Sequence, residues 1–371
     1  MSINPITSTK NIRAEYTKYL KSMFLFKDNK LRTAANKAID ISKTELIKGP
    51  YLESTATYEK GATLHEMVAR GDLHKGFERL IPEIGEYNLH KHQEKAIYKA
   101  SVEKKNIIIS TGTGSGKTEG FLVPILNYLV EEKEAGSLGP GVRALLLYPM
   151  NALANDQLKR LRGILKEYPE ITFGRYTGET KQTKSEAIDY FKKINTEPED
   201  KMLPNELLSR DEMRDTPPNI LLTNYAMLEY LLLRPDDNAF FDGLYSQSWK
   251  YIVLDEAHVY SGSLGSEISY LLARLKDRVV DGEKGKLQFI ATSATLGGGE
   301  TEMVDVIQYA TDLFGEDFSA DCLITSARVK TRLNGSLIKP DISWYSEFLD
   351  LTEQYSGSEL VEKINERNIY N

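Results

Sequence analysis

From about residue 85 onward the chain alternates short apolar runs with longer amphipathic stretches. The runs at 106–109, 144–147, 220–222, 251–254 and 288–291 show no in–out alternation, which is how strands covered on both faces of a parallel sheet read. Between them, residues 152–165 and 264–275 repeat at helical spacing. In the second stretch Leu264, Ile268, Leu271, Leu272 and Leu275 fall on one stripe. The pattern predicts an α/β fold in which a parallel sheet is flanked by crossover helices. Residues 1–80 differ in texture: Lys-, Tyr- and Leu-rich helical patterns over 12–26 and 31–46, stopped at Gly49-Pro50, predict a helical N-terminal extension. Residues 81–300 form the expected lobe. Within it, 181–218 is charged and poor in apolar residues, with Pro217-Pro218 near its end, and predicts a solvated insertion between two strands. Gly297-Gly298-Gly299 marks a break, after which 301–371 reads as a mixed tail.

Composition narrows the function classes. With 371 residues and 41% apolar content the chain can bury a sizeable core, which excludes a disordered or fibrous protein. The single cysteine, Cys322, excludes an intramolecular disulfide or a multi-cysteine metal site and is expected to pack as a small hydrophobe. No run approaches the ~20 apolar residues of a membrane span, and the first residues lack a secretory pattern, so the expected location is cytoplasmic. A formal net charge of −7 argues against coating nucleic acid by bulk charge and leaves room for a local basic surface.

The apolar run at 107–109 leads into Ser110-Thr111-Gly112-Thr113-Gly114-Ser115-Gly116-Lys117-Thr118, and a helix-forming stretch follows. Glycines let such a loop curl until successive N–H groups face one anion, with the positive end of the next helix behind them. Thr113, Gly114, Ser115 and Gly116 therefore read as a phosphate cradle. Lys117 is expected to reach the β- and γ-phosphates of ATP, and the Thr118 hydroxyl to ligate Mg2+. Thr111 stands where the consensus loop has glycine, so the match is to a variant form. Pro124, inside the helix that follows, is expected to kink it.

The run at 251–254 continues into Asp255-Glu256-Ala257-His258, two acids at the carboxyl end of a buried strand. In open α/β sheets ligands bind at that edge. Asp255 is expected to hold Mg2+, and Glu256 to polarise the water that attacks the γ-phosphorus. His258 reads either as a packing residue or as a link from the ATP site to neighbouring segments.

Together these residues resemble the superfamily 2 DEAD/DEAH-box helicases. Gln93, in Leu89-His90-Lys91-His92-Gln93, is similar to the adenine-reading glutamine of that family, and residues 114–118 resemble its motif I. Asp255-Glu256-Ala257-His258 matches motif II verbatim, and Ser293-Ala294-Thr295 matches motif III. The resemblance gives His258, Ser293 and Thr295 a coupling role. A narrower resemblance is to the large bacterial MrfA-like DNA helicases. It is carried by the segments at 148–157 (Tyr-Pro-Met-Asn-Ala-Leu-Ala-Asn-Asp-Gln), 176–180 (Tyr-Thr-Gly-Glu-Thr) and 220–228. Asn151 stands where those helicases tend to have lysine. The resemblance covers about 85–296 and implies the first RecA-like P-loop NTPase lobe of a two-lobe ATP hydrolase. In this family motifs IV to VI and their arginine fingers lie on the second lobe, and no matching segment occurs in these 371 residues. An arginine finger contributes ~10³–10⁵ in rate, so this chain alone is expected to bind ATP and turn it over slowly. Rapid, nucleic-acid-stimulated hydrolysis would contradict that expectation.

The resemblance also implies a nucleic-acid track across Pro149, Asn151, Ala152, Thr177, Gly178, Thr223 and Asn224. These are mostly small or polar residues, several at expected helix starts whose free backbone N–H groups suit sequence-independent phosphate contacts. Arg175, Lys159, Arg160 and Arg162 add local positive charge and read first as a charged helix face. Asn155 and Gln157 suit either a phosphate or neighbouring loops, and Tyr87 either an adenine-stacking or a core ring. The implied function is the ATP-binding lobe of an ATP-dependent DNA helicase or translocase. Its expected partners are single-stranded or partly duplex DNA and a second RecA-like lobe, in a longer chain or a partner, with no membrane. Two readings stay open beside it: an RNA helicase, and a nucleotide-gated scaffold in a DNA-repair or antiviral defence assembly, its N-terminal extension docking a partner.

Overall fold

The computed structural model describes residues 5–46, 56–194, 202–294, 300–329, 350–351, 354–355, 359 and 363. The chain forms two compact units, Met1–Thr57 and Tyr58–Asn371. In the first, helices α1 (Pro5–Met23) and α2 (Asn29–Leu46) are tied by an ion pair of 2.8 Å between Lys21 and Asp40.

The second unit holds the sheet. Its strands are β1 (Ile107–Ser110), β2 (Ala144–Tyr148), β3 (Phe173–Arg175), β4 (Glu206–Leu207), β5 (Ile220–Asn224), β6 (Tyr251–Leu254), β7 (Gln288–Ser293) and β8 (Leu323–Thr325). They lie in the order β4-β3-β5-β2-β6-β7-β1-β8, and every neighbouring pair is parallel. The helices are α3 (Leu64–Arg70), α4 (Ile81–Ile84), α5 (Lys91–Ser101), α6 (Lys117–Glu134), α7 (Asn151–Leu165), α8 (Lys184–Ile194), α9 (Arg210–Asp215), α10 (Tyr225–Leu233), α11 (Gly262–Val280) and α12 (Glu300–Phe314). Successive strand residues feed opposite layers. Ile107, Ile109, Leu146 and Val253 pack into one apolar cluster with residues of α3, α5, α6 and α7. Ile108, Leu145, Leu147, Ile252 and Leu254 pack into another with residues of α10, α11 and α12. A strand covered on both faces has no polar side, which is why the five runs show no alternation.

Several boundaries move from those expected. The compact unit starts at Tyr58 rather than near residue 81, because Leu64, Met67 and Val68 of α3, with Phe77 and Leu80, lie in the first cluster. The charged stretch at 181–218 is built into the lobe over its described residues. It carries α8, β4 and α9, with Met213 buried and Glu206 paired to Arg162 of α7 at 2.7 Å. The tail contributes too: Val306, Ala310, Leu313 and Phe314 of α12 complete the second cluster, and β8 pairs with β1. The Gly297-Gly298-Gly299 break lies outside the described residues. Helix α6 runs as one helix through Pro124, and Cys322 is buried among apolar neighbours as expected. Among the described residues no helix is long and apolar enough to cross a membrane.

Candidate active site

Because all strands run the same way, their carboxyl ends share one edge, and the loops after β1, β6 and β7 open side by side there. Ser110 of β1 is in register with Ser293 of β7, and Leu254 of β6 with Ala291.

The loop after β1 curls as its glycines predict. Gly114 and Gly116 adopt left-handed backbone, at φ 74° and 75°, a conformation costing other residues about 1–2 kcal/mol. Gly116 has a second constraint: a Cβ there would stand 2.2 Å from Gln93 Nε2. Thr113 and Gly114 are exposed, whereas Ser115 turns its side chain inward, its hydroxyl 2.6 Å from that of Thr111. The Ser115 carbonyl accepts from His92 Nε2 at 2.9 Å. A carbonyl only accepts, so the proton sits on Nε2. Burial lowers the His92 pKa below its usual value, which keeps the ring neutral near pH 7. Lys117 opens α6, and its ammonium lies 3.1 Å from Glu256 Oε1, joining the phosphate loop to the acid pair. Thr118 follows it, half-buried.

The acid pair is held by a residue that the motifs did not single out. Thr292, buried on β7, donates its hydroxyl to Asp255 Oδ1 and accepts the Glu256 N–H at 3.1 Å. Glu256 itself is left-handed, at φ 50° and ψ 48°, a strained conformation for a residue with a side chain. Burial pushes the Asp255 carboxyl above its ordinary range, the Thr292 hydrogen bond pulls it down, and the neighbouring Glu256 raises it further. Glu256 Oε2 is buried without a hydrogen-bond partner, with His258 Nδ1 3.3 Å away. The same His258 nitrogen lies 3.3 Å from Ser293 Oγ, so His258 stands between the acid pair and β7. Thr295 lies outside the described residues. From α12, the Tyr309 hydroxyl reaches the carbonyls of Ala257 at 2.7 Å and Tyr260 at 2.6 Å, fixing the turn after the acids.

Gln93 sits behind the phosphate loop at 3% exposure. Its Oε1 accepts from the His90 N–H at 2.6 Å, and its Nε2 donates to the Gly116 carbonyl at 2.9 Å and to Glu119 Oε2 at 3.3 Å. In this state the amide braces the loop. Glu119, buried in the first turn of α6, also accepts from the Tyr87 hydroxyl at 3.1 Å and from Arg160. Tyr87 keeps nearly half its surface exposed; burial and the adjoining carboxylate push its phenol up to about 12.

The expected track is only partly a surface. Ala152 and Gly178 are exposed, and Pro149, Asn151 and Asn224 half-exposed. Thr177 and Thr223 are fully buried, which corrects their expected role as contact residues. Thr177 N–H is spent on Thr180 Oγ1 at 2.9 Å, and the Thr223 hydroxyl on the Tyr176 carbonyl at 2.6 Å, so both shape the loops from within. The nearby arginines are paired: Arg160 with Glu119, Arg162 with Glu206 and Arg175 with Glu179. Asn155 accepts from Arg175.

Thr292 was findable. With β6 and β7 parallel and Leu254 opposite Ala291, the next pair is Asp255 and Thr292, one residue before Ser293. Glu119 and Arg160 gave no such signal, since their meeting depends on how α6 packs against α7.

Residues 90–304 match the DEAD/DEAH box helicase family. The chain is 29% identical to the Druantia protein DruE of Escherichia coli, over 83% of this chain and 21% of that protein. It is also 29% identical to the ATP-dependent helicase hrq1 of Schizosaccharomyces pombe, over 62% of this chain and 18% of that one. The chain thus spans about a fifth of the length of these curated relatives. The structure of the DUF1998 helicase MrfA bound to DNA superposes with a TM-score of 0.52 at 23% identity, covering 72% of this chain and 29% of that one, a likeness of fold. The family spans more than half of the chain and takes in the phosphate loop, the acid pair and Thr292: the protein belongs to the DEAD/DEAH box helicases.

Proposed function

We propose that this chain is the ATP-binding lobe of an ATP-dependent DNA helicase or translocase, coupling hydrolysis of Mg-ATP to movement on nucleic acid. The observation that carries the reading is the contact between Lys117 and Glu256, which brings the end of the phosphate loop and the acid pair together from separate loops at one sheet edge. In this reading the loop N–H groups and Lys117 bind the phosphates, and Glu256 orients the attacking water and accepts its proton. Asp255, half-buried beside it, is held by Thr292 at a fixed place on the edge.

The residues present suit Mg2+. The Thr118 hydroxyl and the Asp255 carboxylate are hard oxygen donors of the kind Mg2+ takes alongside phosphates and water, and Glu256 Oε2 leaves one buried acceptor without a partner. When bound, Mg2+ would neutralise negative charge on the β- and γ-phosphates. A second RecA-like lobe, in a longer chain or from a partner, would complete the site.

DNA is the favoured track, supported by the DNA bound to the fold-level relative MrfA. The test is ATP hydrolysis by the full-length protein with DNA and RNA single strands of the same sequence. Stimulation by DNA beyond that by RNA is expected. Stimulation by RNA alone would make it an RNA helicase, and hydrolysis indifferent to both would remove the motor reading.

A further inference from the structure

Side chains join the loops of the proposed track. Arg175 Nη1 donates to Glu179 Oε2 at 3.0 Å, Asn151 Nδ2 lies 3.4 Å from Glu179 Oε1, and Asn224 Nδ2 donates to Asn151 Oδ1 at 2.9 Å. Glu179 therefore turns one carboxylate oxygen to each of two donors, one ending β3 and one opening α7. The Arg175 side chain is 12% exposed and that of Glu179 44%, so the guanidinium is seated in the protein and the carboxylate stands towards solvent. Asn151 is also the first residue of α7, a helix of 15 residues with no side-chain cap at its N-terminus. An anion between Asn151 and Arg175 thus sits close to a positive helix end.

Two oxygens of one anion, shared between an arginine and an amide beside a helix start, is an arrangement that suits a nucleic-acid phosphate. Arg160 and Arg162 on the same helix are committed to the carboxylates of Glu119 and Glu206, both buried. Glu179 is different: it is exposed, and its departure would leave the seated guanidinium with Asn155 as its remaining acceptor, one charge unanswered, without baring a buried acid.

We propose that Arg175 and Asn151 form a subsite for a nucleic-acid backbone phosphate, that Glu179 fills it in the free protein, and that this carboxylate must give way for nucleic acid to bind. The inference rests on the track reading above and adds to it a built-in brake on affinity.

The test is a salt titration of the full-length protein with a fluorescein-labelled DNA single strand of mixed sequence, comparing the parent with Glu179→Gln. Removing one negative charge from the site lets one more phosphate charge be neutralised. The plot of log affinity against log salt should then steepen by about 0.7, which corresponds to about fivefold tighter binding near 0.1 M salt. Glu179→Ala, which can re-form neither hydrogen bond, should steepen the plot equally. Arg175→Gln should weaken binding in the parent and erase the gain in the Glu179→Gln background. If the parent binds and both Glu179 variants bind no tighter with an unchanged slope, the inference is overturned while the track reading stands. A parent that binds no single strand at any salt overturns both.

Discussion

Replacing Thr292 with valine probes the part of the site that the motifs do not name. Valine keeps the shape of the buried side chain and removes its hydroxyl, so Asp255 loses a donor and the Glu256 N–H loses its acceptor. A hydrogen bond to a charged group contributes about 1.5–3 kcal/mol, and a buried donor left unmet costs about 1–3 kcal/mol. Both depend on one hydroxyl and do not add fully. The expected loss of unfolding free energy is about 2–4 kcal/mol. A pH signature accompanies it. Asp255 already has a folded pKa above its ordinary 3.8, so the folded state holds this proton more tightly than the unfolded chain. Stability from this group is therefore lost as pH rises from 3.8 through the folded value. Losing the Thr292 bond raises that value further, so the variant's deficit should be largest at neutral pH and narrow as pH falls towards 3.8. The assay is urea unfolding followed by circular dichroism at several pH values, with the pH profile of ATP hydrolysis beside it. There the acid limb should move to higher pH. A loss below about 1 kcal/mol, or a deficit that widens as pH falls, would show that the Thr292 hydroxyl does not hold the acid pair.

Other changes test neighbouring parts of the site. Lys117→Ala removes the point charge at the end of the loop and the partner of Glu256, and should abolish ATP binding, read by equilibrium titration, while the thermal transition stays near that of the parent. Gly116→Ala faces a left-handed backbone and the Gln93 amide at 2.2 Å. It should lower stability by about 1–2 kcal/mol for the backbone alone and weaken nucleotide binding as Gln93 is displaced. Unchanged melting and affinity would show that the loop does not hold this conformation.

Much of the fold was legible because burial on both faces leaves a strong trace. The five unbroken apolar runs all became central strands, β1, β2, β5, β6 and β7, and the stripe from Leu264 to Leu275 became the inner face of α11. Three strands left no such trace. β3 and β8 have three residues each and β4 two, too few to show a period. The 181–218 stretch misled because its charges are used inside the lobe: Glu206 answers Arg162, and Arg214 meets the fully buried Asp237 at 2.7 Å. At the site, the local sequence words in the loop after β1 and at the end of β6 picked out the two segments that meet through Lys117 and Glu256. The residues that support them, Thr292, Tyr309 and Glu119, come from other elements and become visible only through sheet register and helix packing. The track fared worst, since its small and polar residues read alike whether, as with Gly178, they face solvent or, as with Thr177 and Thr223, they tie loops from within.

Glu256 is the base of the proposed ATP-hydrolysing site, and Glu256→Gln in the full-length protein is the sharpest test of that role. The amide keeps the size of the side chain and an acceptor for Lys117, and gives up the ability to take a proton. With ATP binding and DNA-stimulated hydrolysis measured side by side, binding should stay within a few-fold of the parent while hydrolysis falls by about 10²–10⁴-fold, the range for a lost general base. Hydrolysis continuing at the parental rate in the Glu256→Gln protein would contradict the assignment.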